Sequence, residues 1–269
     1  MPDTILAQAP FTDLGTVPCV LDEGVAHRAA IGLIVLATDQ TMEHEFRQAI
    51  RLPGVGVYHA RLYNSNDITP ETLRAMRPLI APATELILPD MKLDVVAFGC
   101  TSASMCLGEE TVFAEIRRAR PDAACSTPVT AAFAACRALG ARRVGVLTPY
   151  SAEVNRTVRA YLEAGGLEVA AFATFDKQDD RDAARIAPRS IEDAVVALAQ
   201  STPLDAVFVS CTSLRLCERV AAIEARAGLP VTSSDHALAW HCLRLAGVED
   251  FVPGMGRLFE LPLSNNQGA

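Results

Sequence analysis

Read for apolar and polar positions alone, the chain alternates short unbroken apolar runs with longer stretches whose apolar residues recur every three or four positions. The runs predict strands at Ile31–Leu36, Gly54–Leu62, Asp94–Cys100, Arg143–Thr148, Leu167–Phe175 and Asp205–Cys211. A continuous apolar run bounded by polar residues is the mark of a strand covered on both faces, as in a parallel sheet. Two shorter strands, Ala124–Pro128 and Pro230–Ser234, mirror each other later in the chain. The periodic stretches predict helices over Met42–Ile50, after Thr69-Pro70-Glu71, around Val112, Phe113 and Ile116, and over Val129–Leu139. Further helices are predicted from Ala152 to the Gly165-Gly166 stop, from a Ser190 cap, through Leu216, Val220 and Ile223, and from Asp235 to Leu245. Pro78 and Pro82 should break or kink the helix that Thr69 caps.

Strands alternating with helices imply parallel sheets joined by right-handed crossovers. The pattern runs through once and then starts again, so the expected fold is α/β with two similar lobes. Each lobe would be a small parallel four-stranded sheet flanked by helices, related by internal duplication, with the site in the cleft between them. The divisions read as 1–29, an extension wrapped over the first lobe; 30–127 plus 233–262, lobe one; and 128–232, lobe two. The polar tail Leu263–Ala269 should fray.

The duplication is sharpest where two strands end. Asp94-Val-Val-Ala-Phe-Gly-Cys100-Thr101-Ser102 is echoed 111 positions later by Asp205-Ala-Val-Phe-Val-Ser-Cys211-Thr212-Ser213, and in both copies another cysteine, Cys106 or Cys217, follows six positions on. The carboxyl ends of the strands are where open α/β sheets bind ligands. If each cysteine sits above a helix N-terminus, its thiolate is stabilised and its pKa falls below ~8.5. The N–H groups and hydroxyls of Thr101, Ser102, Thr212 and Ser213 suit a carboxylate. Two such ends facing across a cleft would hold a small carboxylate between two sulfurs, one removing a proton or adding to carbon, the other returning a proton. That chemistry calls for no cofactor and no metal.

Composition narrows the setting. Half of the 269 residues are hydrophobic, enough for a sizeable core. A formal charge of −8 without a basic block argues against nucleic acid. No apolar run approaches the ~18 residues of a membrane span, and Met1-Pro-Asp-Thr does not begin a leader of basic then apolar residues. The expectation is a cytoplasmic protein, with no membrane partner, that forms a homo-oligomer. Its eight cysteines show no CxxC spacing and should stay reduced.

The paired Cys-Thr-Ser strands resemble the aspartate/glutamate racemase superfamily. With Gly32-Leu-Ile-Val, Asp39-Gln-Thr-Met-Glu43 and Thr148-Pro149-Tyr150, residues 31–246 resemble its maleate isomerase and arylmalonate decarboxylase branch. The resemblance implies a cofactor-independent isomerase or racemase acting on a small carboxylate. Cys100 would be nucleophile or first base, Cys211 proton donor, and Tyr150 a hydrogen-bond partner of a substrate carboxylate. Decarboxylase members keep only the second thiol, so a decarboxylase using Cys211 alone is the enzymatic alternative. A non-catalytic ligand-binding protein is the alternative of another class.

The departures from the family pattern bear on the substrate. Maleate isomerases carry asparagine where Asp39 stands, and alignment of Asp179–Arg185 puts Asp180 at a second ligand-binding asparagine. Ser234-Asp235-His236 replaces an Asn-Gln pair. An asparagine amide donates to a carboxylate, whereas an ionised aspartate only accepts. Two acids facing a dianion would repel it, so a zwitterion or a cyclic amidine acid is the expected ligand. Ectoine-utilisation members, similar in the Ala-Thr-Asp-Gln-Thr loop, agree with this. The plainer reading makes Asp39 and Asp180 helix caps, Tyr150 a core phenol and His236 structural. Cys19, Cys106, Cys125, Cys136, Cys217 and Cys242 would then be packing residues.

Overall fold

The structure, a computed structural model, describes residues 11–67, 69–177 and 179–264. Its first sheet is built by β1 (Ala29–Leu36), α1 (Met42–Ala49), β2 (Val55–Leu62), α2 (Pro70–Ala75), α3 (Arg77–Glu85), β3 (Val95–Gly99), α4 (Thr101–Leu107), α5 (Glu109–Ala119) and β4 (Ala124–Ser126). The second follows with α6 (Pro128–Ala138), β5 (Arg143–Thr148), α7 (Ala152–Ala164), β6 (Glu168–Thr174), α8 (Asp180–Ala183), α9 (Pro188–Ser201), β7 (Ala206–Val209), α10 (Val220–Ala227) and β8 (Val231–Ser233). Helix α11 (Ser234–Leu245) and a 3-10 turn at Arg257–Glu260 close the chain. The strand orders are β2-β1-β3-β4 and β6-β5-β7-β8, all parallel. In each sheet the third strand in that order is followed by its cysteine, and both cysteines line one cavity. Two parallel four-stranded sheets flanked by helices are thus the architecture that the repeated apolar runs predict.

Apolar runs become strands here because both faces are covered. All eight residues of β1 and all five of β3 are buried. On one face Leu33, Val35 and Ala97 pack with Phe46, Trp240 and Leu243; on the other Ile34, Val96 and Phe98 pack with Ile80, Val112 and Ile116. A Cβ on Gly99 would collide with the Met42 sulfur and stand 2.9 Å from the Ile34 carbonyl oxygen. The glycine just before Cys100 therefore lets α1 lie directly on the strand end. Helix α11 has eleven of its twelve residues buried, and returns the chain to the first sheet. The Arg244 guanidinium and Trp240 indole within it donate to the carbonyls of Val248, Phe259 and Leu261, which ties down the segment that follows.

Several local expectations differ. Thr69 does cap α2, in a capping box with Thr72, but the break falls at Met76, and α3 runs on through Pro82 with Pro78 in its first turn, where a missing N–H costs nothing. Helix α9 is capped at Ala187 with Pro188 opening it, so Ser190 lies inside the first turn. Residues 11–25 do not wrap over the first lobe: their large apolar side chains stand exposed. Cys19 among them is exposed, not packed. Of the tail expected to fray, residues 265–269 lie outside the described residues. No helix among the described residues is long and apolar enough to cross a membrane.

The lobes are joined by buried polar contacts. Thr41 Oγ1 donates to the Thr212 carbonyl at 2.7 Å, and Glu45 Oε2 accepts the N–H groups of Leu216 and Cys217 at 2.7 and 2.8 Å. Glu45→Ala leaves both donors buried and unpaired, an expected loss of about 1–3 kcal/mol. Glu45→Gln, which keeps an acceptor oxygen, should lose clearly less; urea midpoints of the two variants at neutral pH check this.

Candidate active site

Strand β3 ends in Cys100, which has extended backbone angles and occupies the cap of α4. Its sulfur takes the part usually played by a capping oxygen, accepting the Ala103 N–H at 3.4 Å, with Ser102 Oγ at 3.6 Å. The Thr101 and Ser102 N–H groups sit in the first turn of α4, where helix donors have no intrahelical acceptor. Ser104 Oγ donates to the Cys100 carbonyl at 2.6 Å and Thr101 Oγ1 to Ser234 Oγ at 2.9 Å. The Thr101 hydroxyl thus holds α11 against the strand end.

Cys211 is placed differently. No helix follows it: Thr212–Arg219 runs as turns, and the helix expected through Leu216 begins only at Val220. The cause is Glu45, which takes the Leu216 and Cys217 N–H groups from outside. The Cys211 sulfur accepts the Ser213 N–H at 3.3 Å and lies in hydrogen-bond reach of the Tyr150 hydroxyl. Tyr150 is itself fixed at the end of β5. Its carbonyl accepts from Asn155 Nδ2 at 2.9 Å and Thr174 Oγ1 at 2.6 Å, and its N–H donates to Thr148 Oγ1.

The two sulfurs line one inner cavity of about 30 Å³, together with Thr101, Ser102, Thr212, Tyr150 and Asp180. Asn64, Ser65 and Asp67, from the β2–α2 connection, line both this cavity and an outer cleft of about 900 Å³, as does Tyr150. This polar run after β2 was missed by reading the chain for cysteines; the rule that sites gather at strand carboxyl ends, applied to Leu62, points to it. Among the described residues the inner lining holds two acids, Asp67 and Asp180, and no lysine, arginine or histidine.

Asp180 faces the cavity with hydroxyls from both lobes on it: Ser213 Oγ at 2.9 Å and Thr38 Oγ1 at 3.3 Å. Asp39 does not line the cavity. It is buried behind it, and its Oδ1 accepts the N–H groups of Thr41 and Met42 at 2.7 and 2.8 Å. Asp39 therefore holds its own loop ahead of α1, whose N-cap position is Thr41 rather than Asp39. Ser213, expected on the ligand, instead spends its N–H on Cys211 and its hydroxyl on Asp180. His236 is fully buried, paired with Thr232 Oγ1 and the Met255 carbonyl, and burial lowers its pKa to about 4.

The expected depression of a thiol pKa is reversed. Burial pushes Cys100 up to about 11, against the Ala103 and Ser102 hydrogen bonds, and the charges of Asp180 and Asp39 add to the rise. Cys211 moves up further, again through burial first and Asp180 second, with the Tyr150 hydroxyl opposing. Tyr150 is raised by burial and by the neighbouring Cys211. One helix N-terminus and a few N–H bonds do not offset removal from water. Both thiols are protonated in the free protein at neutral pH.

Comparison with known proteins accords with this arrangement. Residues 77–259 match the arylmalonate decarboxylase family model. Over 241 residues the chain is 30% identical to the maleate isomerase of Nocardia farcinica, covering 85% of this chain and 94% of the relative. The Pseudomonas putida maleate isomerase is 29% identical over 242 residues, covering 85% and 96%. A structure of Nocardia farcinica maleate cis-trans isomerase with a covalently bound succinylcysteine intermediate superimposes with a TM-score of 0.75 at 26% identity, covering 86% of this chain and 98% of that one. The chain belongs to the arylmalonate decarboxylase family.

Behind the site Asp235 has both carboxyl oxygens buried and without a hydrogen-bond partner among the described residues, and one Glu45 oxygen is likewise unpaired there. Burial, then the charges of Asp39 and Glu45, raises the Asp235 pKa far above the usual carboxylate range. The folded chain holds this proton more tightly than the unfolded chain. The stability it contributes is therefore complete below about pH 4 and is lost as pH rises through the window above that. Asp235→Asn has no proton to lose. It should raise stability by about 1–3 kcal/mol at pH 7 and leave it unchanged at pH 4, read from thermal unfolding at the two pH values.

Proposed function

We propose that this protein is a cofactor-independent isomerase or racemase that moves a proton at one carbon of a small carboxylate, using Cys100 and Cys211 from opposite lobes. The observation that carries the reading is the shared cavity: two thiols from equivalent strand ends line one space that no basic side chain enters among the described residues. The free N–H groups at the start of α4 receive the carboxylate, a helix N-terminus being a ready anion site. One thiol releases its proton to solvent as the substrate binds and, as thiolate, abstracts the substrate proton or adds to the carbon. The other, still a thiol, protonates the opposite face. The Tyr150 hydroxyl beside Cys211 is placed to stabilise that sulfur when it is charged.

The acids bear on which carboxylate is used. A dianion entering here meets Asp180 and Asp67; a molecule with one carboxylate and one cation satisfies both ends of the site. The cation also offsets the Asp180 charge, which adds to the effect of burial in raising both thiols. An amino acid zwitterion or a cyclic amidine acid has the required charges. The same acids disfavour a malonate-like diacid, and with it decarboxylation by Cys211 alone.

The reaction is read by incubation with small carboxylates in deuterium oxide. Deuterium should enter the carbon beside the carboxylate, and Cys100→Ser and Cys211→Ser should each lower the rate by about 10²–10⁴-fold. Exchange that survives in both variants sinks the two-thiol reading. Asp180→Asn should lower kcat/KM on the cation-bearing substrate by about 10–150-fold and improve turnover of maleate. Efficient isomerisation of maleate by the unaltered protein, unchanged by Asp180→Asn, would show that the charge argument is wrong.

A further inference from the structure

We propose that residues 11–25 are a docking arm, and that a second copy of this chain accepts it in the groove between α1 and the edge strand β2. Six large apolar side chains of this short segment, Phe11, Leu14, Val17, Val20, Leu21 and Val25, are between 62% and 97% exposed. Six large apolar side chains left exposed within fifteen residues mark a contact that the isolated chain leaves unmade. The arm is also shaped. Asp13 and Asp22 each accept the N–H two residues on, from Gly15 and Gly24 at 2.8 Å, and both glycines have positive φ. These two Asx turns restrict the segment before it binds, which reduces the entropy lost on docking.

The groove matches the arm in both respects. It measures about 270 Å³ and is lined by Phe46, Ile50, Val55 and Val57, with Arg47 and His59 at its edges. Strand β2 pairs only with β1, so its other side is open among the described residues. The arm carries three acids, Asp13, Asp22 and Glu23, and no lysine or arginine. Apolar residues flanked by acids thus face apolar residues beside the Arg47 guanidinium, while burial lowers the His59 pKa.

The arm's root favours exchange between copies. The Arg28 and Ala29 N–H groups donate to the Gly54 carbonyl at 2.9 and 3.2 Å, and the Arg28 guanidinium is held by both oxygens of Asp250. The arm therefore leaves the body beside Val55, at the end of the groove itself. Two copies related by a two-fold axis near that point can each lay an arm in the other's groove, which closes the assembly as a dimer. Fifteen extended residues reach up to about 50 Å, and two such arms suffice for an interface on the order of 1,600 Å².

Sedimentation velocity on the full chain tests this. The unaltered protein should be a dimer. Leu21→Asp in the arm and Arg47→Glu beside the groove, both at exposed positions, should each weaken the dissociation constant by about tenfold or more. Mixing the two variants should restore one of the two arm contacts and recover dimer that neither forms alone. Cys19, exposed on the arm, should become protected from a maleimide probe in the dimer only. A monomeric chain, a dimer indifferent to both variants, or a monomer with Cys19 protected, in which the arm lies in its own groove, each overturns the proposal.

Discussion

The carboxylate of Glu45 stands on one lobe and holds the backbone of the other. Where Cys100 is seated by its own helix, the segment after Cys211 has no helix to organise it, and its N–H groups at Leu216 and Cys217 close onto Glu45 instead. A few residues away Thr41 grips the Thr212 carbonyl, and Asp180 collects hydroxyls from Thr38 and Ser213. Every one of these bonds crosses between lobes except that of Ser213. The spacing of the two sulfurs therefore depends on the seam, and a shift of either sheet would be felt at both thiols together. Hydrogen bonds to charged groups contribute more than neutral ones, and here they replace a covalent link between halves of a duplicated fold.

A second feature is the sign of the charge around the sulfurs. Three carboxyls, those of Asp39, Glu45 and Asp235, are buried within influence of one another, and their pKa values all rise, burial being the chief cause. Asp180 adds its influence on both sulfurs and on Tyr150. On the proposed reading Asp180 and Asp67, which line the cavity, act as a filter, favouring a ligand that brings positive charge and penalising one that brings only negative charge. The relatives named for maleate share the scaffold.

How far the molecule was legible in its sequence follows from which signals are local. The strands were readable because both faces of β1 and β3 are covered, which forces unbroken apolar runs such as Ile31–Leu36. The repeated Cys-Thr-Ser was readable because its meaning lies in position at a strand end. The helix expected after Cys211 was not there, since the bonds that replace it come from Glu45, more than 160 positions away in the chain. Asp39 and Asp180 look alike as residues, yet one is turned to the Thr41 and Met42 N–H groups and the other to the cavity, a difference of side-chain direction that spacing does not encode. The β2–α2 connection at Asn64–Asp67 carries no cysteine, and only its position beside the cavity draws notice.

The raised thiol pKa values also bear on survival. Thiolates, not thiols, are what peroxides attack on the way to sulfenic and then irreversible sulfinic acid. Cys100 and Cys211, buried and protonated while the cavity is unoccupied, are poor targets for that chemistry, whereas Cys19 lies open on the surface. Nucleophilicity that appears only when a ligand alters the local charge is exposed to oxidants only for the lifetime of the complex. A pair of permanently ionised cysteines in the same cleft would be reactive at every moment, including those when there is nothing to convert.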